Sequence, residues 1–514
     1  MQTKLTPFAR FLITLGIIAG LFFGGKYVLE NTSFGKSLKS ESEKTDTKAP
    51  ENENSTASGD VVKVGVVTWG GYSGGQYFNN GFKPNADSRY RKDYGFDVEF
   101  KVLDDFEASR AAWKNGDIDL LWTTADAFPT EAAGLGDFEP QIVFQADWSR
   151  GGDAIVARRG INSVADLKGK KIAVAELTPS HSFLLWLLEA GGLKMSDVQI
   201  VKQASAIDAA GVFKAQQVDA AVVWSPDDAL CVQAVQGSKV LQSTKSASNI
   251  IADVFIAKKK WAENNQDKLQ KLYEGWMKGA AEINTDATAK KKAAKILADQ
   301  FQISEADAMQ SINNVRLTTH GDNLNFFGKN ADYKGVTGEQ LYGRMGSIYK
   351  NLGYADKLVN WRLVSNPSAI NGTSLSGDEN AAEGQKVFSA ATSADASKDA
   401  VATKRVSISF RSGEYQLDDN SKYIVDKEMV EIAKAFSGAR IRVEGNTDNV
   451  GSEATNINLS KKRAQSVVDY LVNTYGMSRN RFIVVGNGPN NPVASNDSED
   501  GKSKNRRTDF EIVE

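Results

Sequence analysis

Apolar and polar positions divide the chain into blocks before any single residue is considered. The most hydrophobic stretch, "FLITLGIIAGLFFGG" from Phe11 to Gly25, is uncharged, follows Lys4 and Arg10, and runs into Lys26 and a further apolar "YVL". A helix rising about 1.5 Å per residue over this run falls slightly short of a bilayer core of about 30 Å. Snorkelling of Lys26 and the apolar residues beyond it closes the gap. The pattern predicts an N-terminal membrane anchor, residues 1–30, built on one transmembrane helix. A cleaved signal peptide is the alternative, but no small-x-small cleavage site follows the run, nor does a cysteine that could carry a lipid. Lys4 and Arg10 are expected to hold the N-terminus in the cytoplasm and send everything after residue 30 outward.

Two blocks rich in Ser, Thr, Glu, Lys and Asn, 31–60 and 366–405, hold scarcely any large apolar residue. Such composition cannot bury a core, so both are expected to be flexible linkers with root-mean-square spans of roughly 30 to 40 Å. Between them, β-rich runs "VVKVGVVTW" (61–69), "FDVEFKVL" (96–103), "KIAVAEL" (171–177) and "DAAVVW" (219–224) alternate with helical patterns at 105–116, 182–192 and 265–284. Alternation of this kind predicts parallel α/β sheets, and 61–365 is long enough for two α/β lobes with a cleft between them. Residues 406–514 alternate as well. They read as strand 406–410, helix 421–438, strand 439–445, helix 458–475, strand 481–488 and strand 509–514. In the second of those helices Ala464, Val467, Val468, Leu471 and Val472 keep the spacing of one buried stripe. Arg463 falls at the edge of that stripe, within reach of the sheet end where Asp448 emerges.

Composition narrows the chemistry. With 62 Lys and Arg against 64 Asp and Glu the net charge is -2, which gives no electrostatic bias toward nucleic acid. One cysteine, Cys231, excludes an internal disulfide and any multi-cysteine metal site, and the two histidines, His181 and His320, are far apart in sequence. No cofactor is expected.

The segments "INSVADLKGKKIAVAELTPSHSFLLWLLEAGGLKMSDVQIV", "VDAAVVWSPDDA" and "GDIDLLWTTADAFPTEAA" resemble the nitrate/sulfonate/taurine type of ABC-transporter substrate-binding proteins, over about Val61 to Leu363. The resemblance implies a two-lobed periplasmic-binding-protein fold, with lobe one at 61–148 plus 254–365 and lobe two at 153–250, closing on a small solute. In "LTPSHSFLLWLL" the hydroxyls of Thr178, Ser180 and Ser182 gather where an apolar helix begins, and the unpaired N–H groups there suit an anion. "TWGGY" (68–72) and "TTAD" (123–126) are further strand ends, the place where open α/β sheets bind ligands. The candidate solute site is therefore Trp69 and Trp224 as walls, Thr123, Thr124 and Ser180 as donors, Asp153 and Asp227 as orienting acceptors, and His181 as a further donor. An anionic or zwitterionic ligand is expected, although the two acids favour one with a cationic or neutral hydrogen-bonding part. Some relatives of this fold are thiamin-pyrimidine synthases that depend on a cysteine-rich motif. This segment has only Cys231, with nothing triad-like around either histidine, so no enzyme is expected.

In 406–514, "GNTDNVGS", "NINLSKKRAQSVVDYL", "GNGPNNPVASN" and "KNRRTDFEI" resemble the OmpA-like peptidoglycan-binding domain, a small α/β fold, in order and spacing. The resemblance places Asp448 and Arg463 on the diaminopimelate moiety of the peptide stem, with Asn456, Thr447 and Arg507 shaping the pocket. A zwitterionic centre offers an ammonium to the carboxylate and a carboxylate to a bidentate guanidinium. Asn446 stands where a histidine is common, and Thr508 replaces the usual apolar residue.

Together these readings imply a solute-binding protein in the periplasm of a Gram-negative bacterium, single-pass in the inner membrane and tethered to peptidoglycan. It would serve ABC-type uptake through a permease, or ligand sensing. The competing reading is a stator-like scaffold between inner membrane and wall, but proton-driven stators need an acidic residue within the membrane and Phe11–Gly25 has none.

Overall fold

The computed structural model describes residues 61–408, 410–411 and 413–513, so the anchor and first linker expected at 1–30 and 31–60 lie outside the described residues. Among the described residues no helix is long and apolar enough to cross a membrane.

The first sheet has six strands in the order Val315–Leu317, Pro140–Ser149, Ala252–Lys258, Leu120–Thr124, Val61–Val66, Asp97–Val102. Its last three strands are parallel, as crossover helices require, while Ala252–Lys258 runs antiparallel to both of its neighbours. Strand interiors such as Leu120–Thr124 are buried at every position, which explains why they read as continuous apolar runs rather than alternating ones. The helix Gln266–Thr285 lays Trp276 against Phe255, Phe144 and Phe100, with ring centroids 4.9, 5.2 and 5.7 Å away.

The second sheet has five strands in the order Gln199–Gln203, Lys171–Ala175, Ala220–Trp224, Asp153–Ala157, Lys239–Ser243. The helix Pro179–Ala190 beside it buries every residue but Glu189, so it has no solvent face and no amphipathic stripe. The chain crosses from the first sheet to the second after Ser149 and returns before Ala252. Thr244 ties the two crossings together: its Oγ1 accepts from Gly151 N at 2.8 Å and lies 2.8 Å from Ser149 Oγ, while its own N–H donates to Asp153 O at 2.9 Å.

The third sheet is Ala400–Val406, Thr508–Val513, Arg440–Asn446, Phe482–Gly488, with only the last pair parallel. Its first strand departs from the sequence reading, which began the strand at 406 and left 400–405 in a linker. Register decides the matter: Ala400 to Val406 pair against Val513 to Thr508, and the polar Thr403 is tolerated because this is an edge strand. The rest of 366–405, expected as a flexible linker, is also bonded into the molecule. Asp322 Oδ1 accepts from Glu383 N at 2.6 Å, Arg150 pairs with Glu383 at 2.7 Å, and Arg440 donates to Ser389 O at 3.1 Å. Polar side chains satisfied by neighbouring carboxylates and carbonyls hold a segment that has little apolar area to bury. The third sheet's unit sits on the second lobe, where Asn249 N donates to Ala435 O at 3.0 Å and Gly438 N to Ser246 O at 3.1 Å.

Candidate functional site

The strand Arg440–Asn446 ends where Asn446 N donates to Arg507 O and Thr447 N to Gly488 O, both at 2.9 Å, so the loop that follows leaves the sheet in a fixed direction. Asp448 is next. Its Oδ1 accepts from Val450 N at 3.0 Å in a local turn, and its Oδ2 takes Arg506 Nη1 at 2.7 Å. Asn456 Nδ2 pins the same loop by donating to Val450 O at 3.0 Å, and Thr447 Oγ1 donates to Asp448 O at 2.8 Å. The helix that follows, Glu453–Tyr475, starts five residues earlier than the apolar stripe predicts, because Ser452 caps it through Thr455 N. Arg463 packs over the Phe410 ring and donates through Nε to Glu414 O at 3.1 Å and through Nη2 to Arg411 O at 3.4 Å. No bond joins Arg463 to Asp448 among the described residues, yet each lies in the other's field. Burial lowers the Arg463 guanidinium, the Asp448 charge opposes this, and Arg506 adds to it. Burial works to raise the Asp448 carboxyl, but the Arg506 and Val450 hydrogen bonds outweigh it and hold the group below its ordinary value. The site is thus an ionised carboxylate between two guanidiniums. Arg507, expected in this pocket, turns away and clasps Asp509 through Nε at 3.0 Å and Nη2 at 2.9 Å.

The second candidate lies between the lobes, a narrow cleft of about 20 Å³ lined by Trp69, Tyr72, Trp122, Trp224, Asp153 and Asp253 with Val67, Pro179 and Ile251. Strand register builds it. Asp153 opens its strand opposite Trp224, and Asp253 stands between Thr124 on one side and Asp147 on the other. Trp69 and Trp224 meet edge to face with centroids 6.4 Å apart, and Trp69 Nε1 donates to Asp147 Oδ2 at 3.2 Å. Tyr72 donates to Asp253 Oδ1 at 2.7 Å, and Ser149 to Asp153 Oδ2 at 2.7 Å. Two glycines make room: a Cβ on Gly152 would lie 2.1 Å from the Trp69 ring, and one on Gly71 would lie 1.6 Å from Asp147 Oδ2. Gly152→Val should therefore expel Trp69 from its seat and cost about 1–3 kcal/mol in stability, measured by urea unfolding followed by tryptophan fluorescence.

Four carboxyls crowd this region. Burial lifts Asp126 to about 7 and Asp153 to about 7, the latter helped by the Asp126 charge. Burial raises Asp147 as well, and the Asp153 charge reinforces the shift against the Trp69 N–H and Arg150. Asp253 is pushed well up by burial and then by Asp147, Asp153 and Asp126.

The OmpA family profile matches residues 409–506, which contain Asp448, Asn456, Arg463 and Arg506. The chain carries an OmpA-family domain. The NMT1/THI5-like family profile matches residues 149–288, the second lobe and its return into the first. Over 108 residues the chain is 36% identical to outer membrane porin F of Pseudomonas aeruginosa, covering 21% of this chain and 31% of that protein. Over 90 residues it is 41% identical to the peptidoglycan-binding protein ArfA of Mycobacterium tuberculosis, covering 18% of this chain and 27% of that protein. The chain thus spans about a third or less of the length of these curated relatives. Among solved structures, the periplasmic aliphatic sulphonate binding protein SsuA of Escherichia coli aligns at 21% identity with a TM-score of 0.48, over 59% of this chain and 97% of that one.

Of the residues expected to touch solute, Trp69, Asp153 and Trp224 line the cleft, and Ser180 is buried beside it with its Oγ unpartnered. Three others are occupied elsewhere, while the buried Nε2 of His181 has no partner among the described residues. Thr123 donates to Glu131 at 2.8 Å, Thr124 accepts from Ala127 N, and Asp227 pairs with Lys214 at 3.2 Å. His181 lies between Tyr349 and Tyr354, accepts from Leu177 N, and is lowered to about 4 by burial, so it is neutral and offers no cation to an anion. Cys231 is buried and its thiol is raised by burial to about 11. Tyr72, Trp122, Asp147 and Asp253 escaped the sequence reading. A carboxylate inside an apolar strand, as in "VFQADWS" and "IADVFIA", was the available signal. In the OmpA-family domain Arg506 escaped it, because two adjacent arginines give no hint of which one faces the loop.

Proposed function

We propose that this chain is a solute-binding protein of the periplasm, anchored by its N-terminal apolar run in the inner membrane and held to peptidoglycan by the OmpA-family domain. It serves ABC-type uptake or ligand sensing. The observation that carries the reading is the pairing of two built sites on one chain: a cleft where strand ends from both lobes converge, and an ionised Asp448 flanked by Arg506 and Arg463. A diaminopimelate centre presents an ammonium to Asp448 and a carboxylate to the guanidiniums. Arg463 has already committed Nε and Nη2 to backbone carbonyls, so the stem carboxylate meets its Nη1 side together with Arg506 rather than a free fork. The OmpA-family match and the 41% identity to a peptidoglycan-binding protein support the same assignment.

Co-sedimentation of the full-length chain with purified diaminopimelate-containing sacculi is expected to be saturable, and inner-membrane fractions are expected to retain the chain after the wall is digested with lysozyme. A chain that stays in the supernatant with sacculi has no wall attachment. One released by lysozyme alone has no membrane anchor.

A further inference from the structure

We propose that the interlobe cleft takes a small organic cation, an ammonium group on an uncharged body, held among the rings of Trp69, Tyr72, Trp122 and Trp224 with Asp153 and Asp253 as its counter-ions. The inference rests on the solute-binding reading and specifies its ligand. The cleft lining contains two carboxylates and no Lys, Arg or His. Asp153 and Asp253 are 2% and 4% exposed, and each has only one oxygen engaged, by Ser149 and Tyr72, leaving the other without a partner among the described residues. Asp147 Oδ1 and Asp126 Oδ2, just behind them, are buried and also unpartnered. Neither nearby arginine lines the cleft: Arg110 pairs with Glu131, and Arg150 pairs with Glu383 through Nη2 while its buried Nη1 has no partner among the described residues. A buried carboxyl with no cation beside it keeps its proton, and a cationic ligand is what lets it ionise on binding.

The aromatic lining fits the same guest. Rings attract an ammonium through their quadrupoles, and four of them surround the cleft beside the acids. A sulfonate or nitrate would meet carboxylate oxygens at close range with no donor cation opposite. The described residues hold no group of three or more His, Cys, Asp or Glu placed to share a metal ion, so the geometry suits a diffuse organic charge rather than a coordinated one.

The test is a thermal-shift and calorimetric screen of the full-length chain against tetramethylammonium and choline on one side, and nitrate and ethanesulfonate on the other. A cation should bind saturably and shift the melting temperature upward. Asp253→Asn should weaken it at least about tenfold, and Trp224→Leu, which leaves every charge in place, should weaken it as well. Circular dichroism melting confirms that both variants fold. Binding by nitrate or a sulfonate with no response to cations overturns the cationic assignment and leaves the solute-binding reading standing. A flat response to both classes overturns both. Cation binding unchanged by either substitution places the ligand outside this cleft and overturns the inference.

Discussion

Asp448→Ala is expected to weaken attachment of the full-length chain to sacculi by about 30-fold or more. Removing one partner of a hydrogen-bonded, partly desolvated charge contact costs about 2–5 kcal/mol, and each 1.4 kcal/mol is tenfold. The side chain of Asp448 is 12% exposed, which places the effect nearer the lower end of that range. Arg506→Ala makes the contrasting control. Arg506 is 40% exposed and its second contact, to Glu499, is on the surface. Its loss frees Asp448 for the ligand ammonium while removing one cation near the ligand carboxylate, so binding should change less than tenfold. If the two substitutions weaken binding equally, the Asp448–Arg506 pair is a structural staple and the stem amino acid binds elsewhere. Circular dichroism separates lost binding from lost folding, since Asp448→Ala also deletes the turn bond to Val450, worth about 1 kcal/mol.

The unliganded chain should lose stability as pH rises from 6.5 to 8.5. Asp126 and Asp153 are raised by burial to about 7, and Asp147 and Asp253 are raised by burial and by their neighbours' charges. An unfolded Asp ionises near 3.9, so between that value and the folded one the native chain binds more protons than the unfolded chain. The stability this lends is complete below about pH 4. It drains away as pH climbs through 7 for the first two carboxyls, and at higher pH for the others. His181, lowered to about 4, acts in the opposite direction, because its unfolded form takes up a proton below about 6.5. The interval above 6.5 therefore isolates the carboxyls. A loss of about 2–4 kcal/mol over two pH units is expected, with Asp147→Asn flattening the slope. A melting temperature that is level or rising across the interval would show that the cluster is already neutralised.

Much of the fold was legible because periodicity reports burial directly. The strands near 61–66, 97–102, 171–175 and 220–224 lie within one to three residues of where the apolar runs end, and the helix Gln266–Thr285 matches its stripe to within a residue at each end. The stretch 366–405 was not legible. Nothing in its composition pays for order through apolar burial; its strand at Ala400–Val406 exists because Thr508–Val513 presents an open edge, and an edge partner 108 residues away leaves no local trace.

The sites divide along the same line. Sequence alone pointed to Asp448 and Arg463 as one neighbourhood, and to Trp69, Asp153 and Trp224, at or just beyond strand termini, as parts of one cleft. The tertiary structure alone decided that Arg506 holds Asp448 while Arg507 serves Asp509, and that Asp147 and Asp253 join Asp153 beneath a roof of aromatic rings. The reason is physical: spacing along a strand or helix says which way a residue faces, but charge partnership depends on distances between elements that only packing sets.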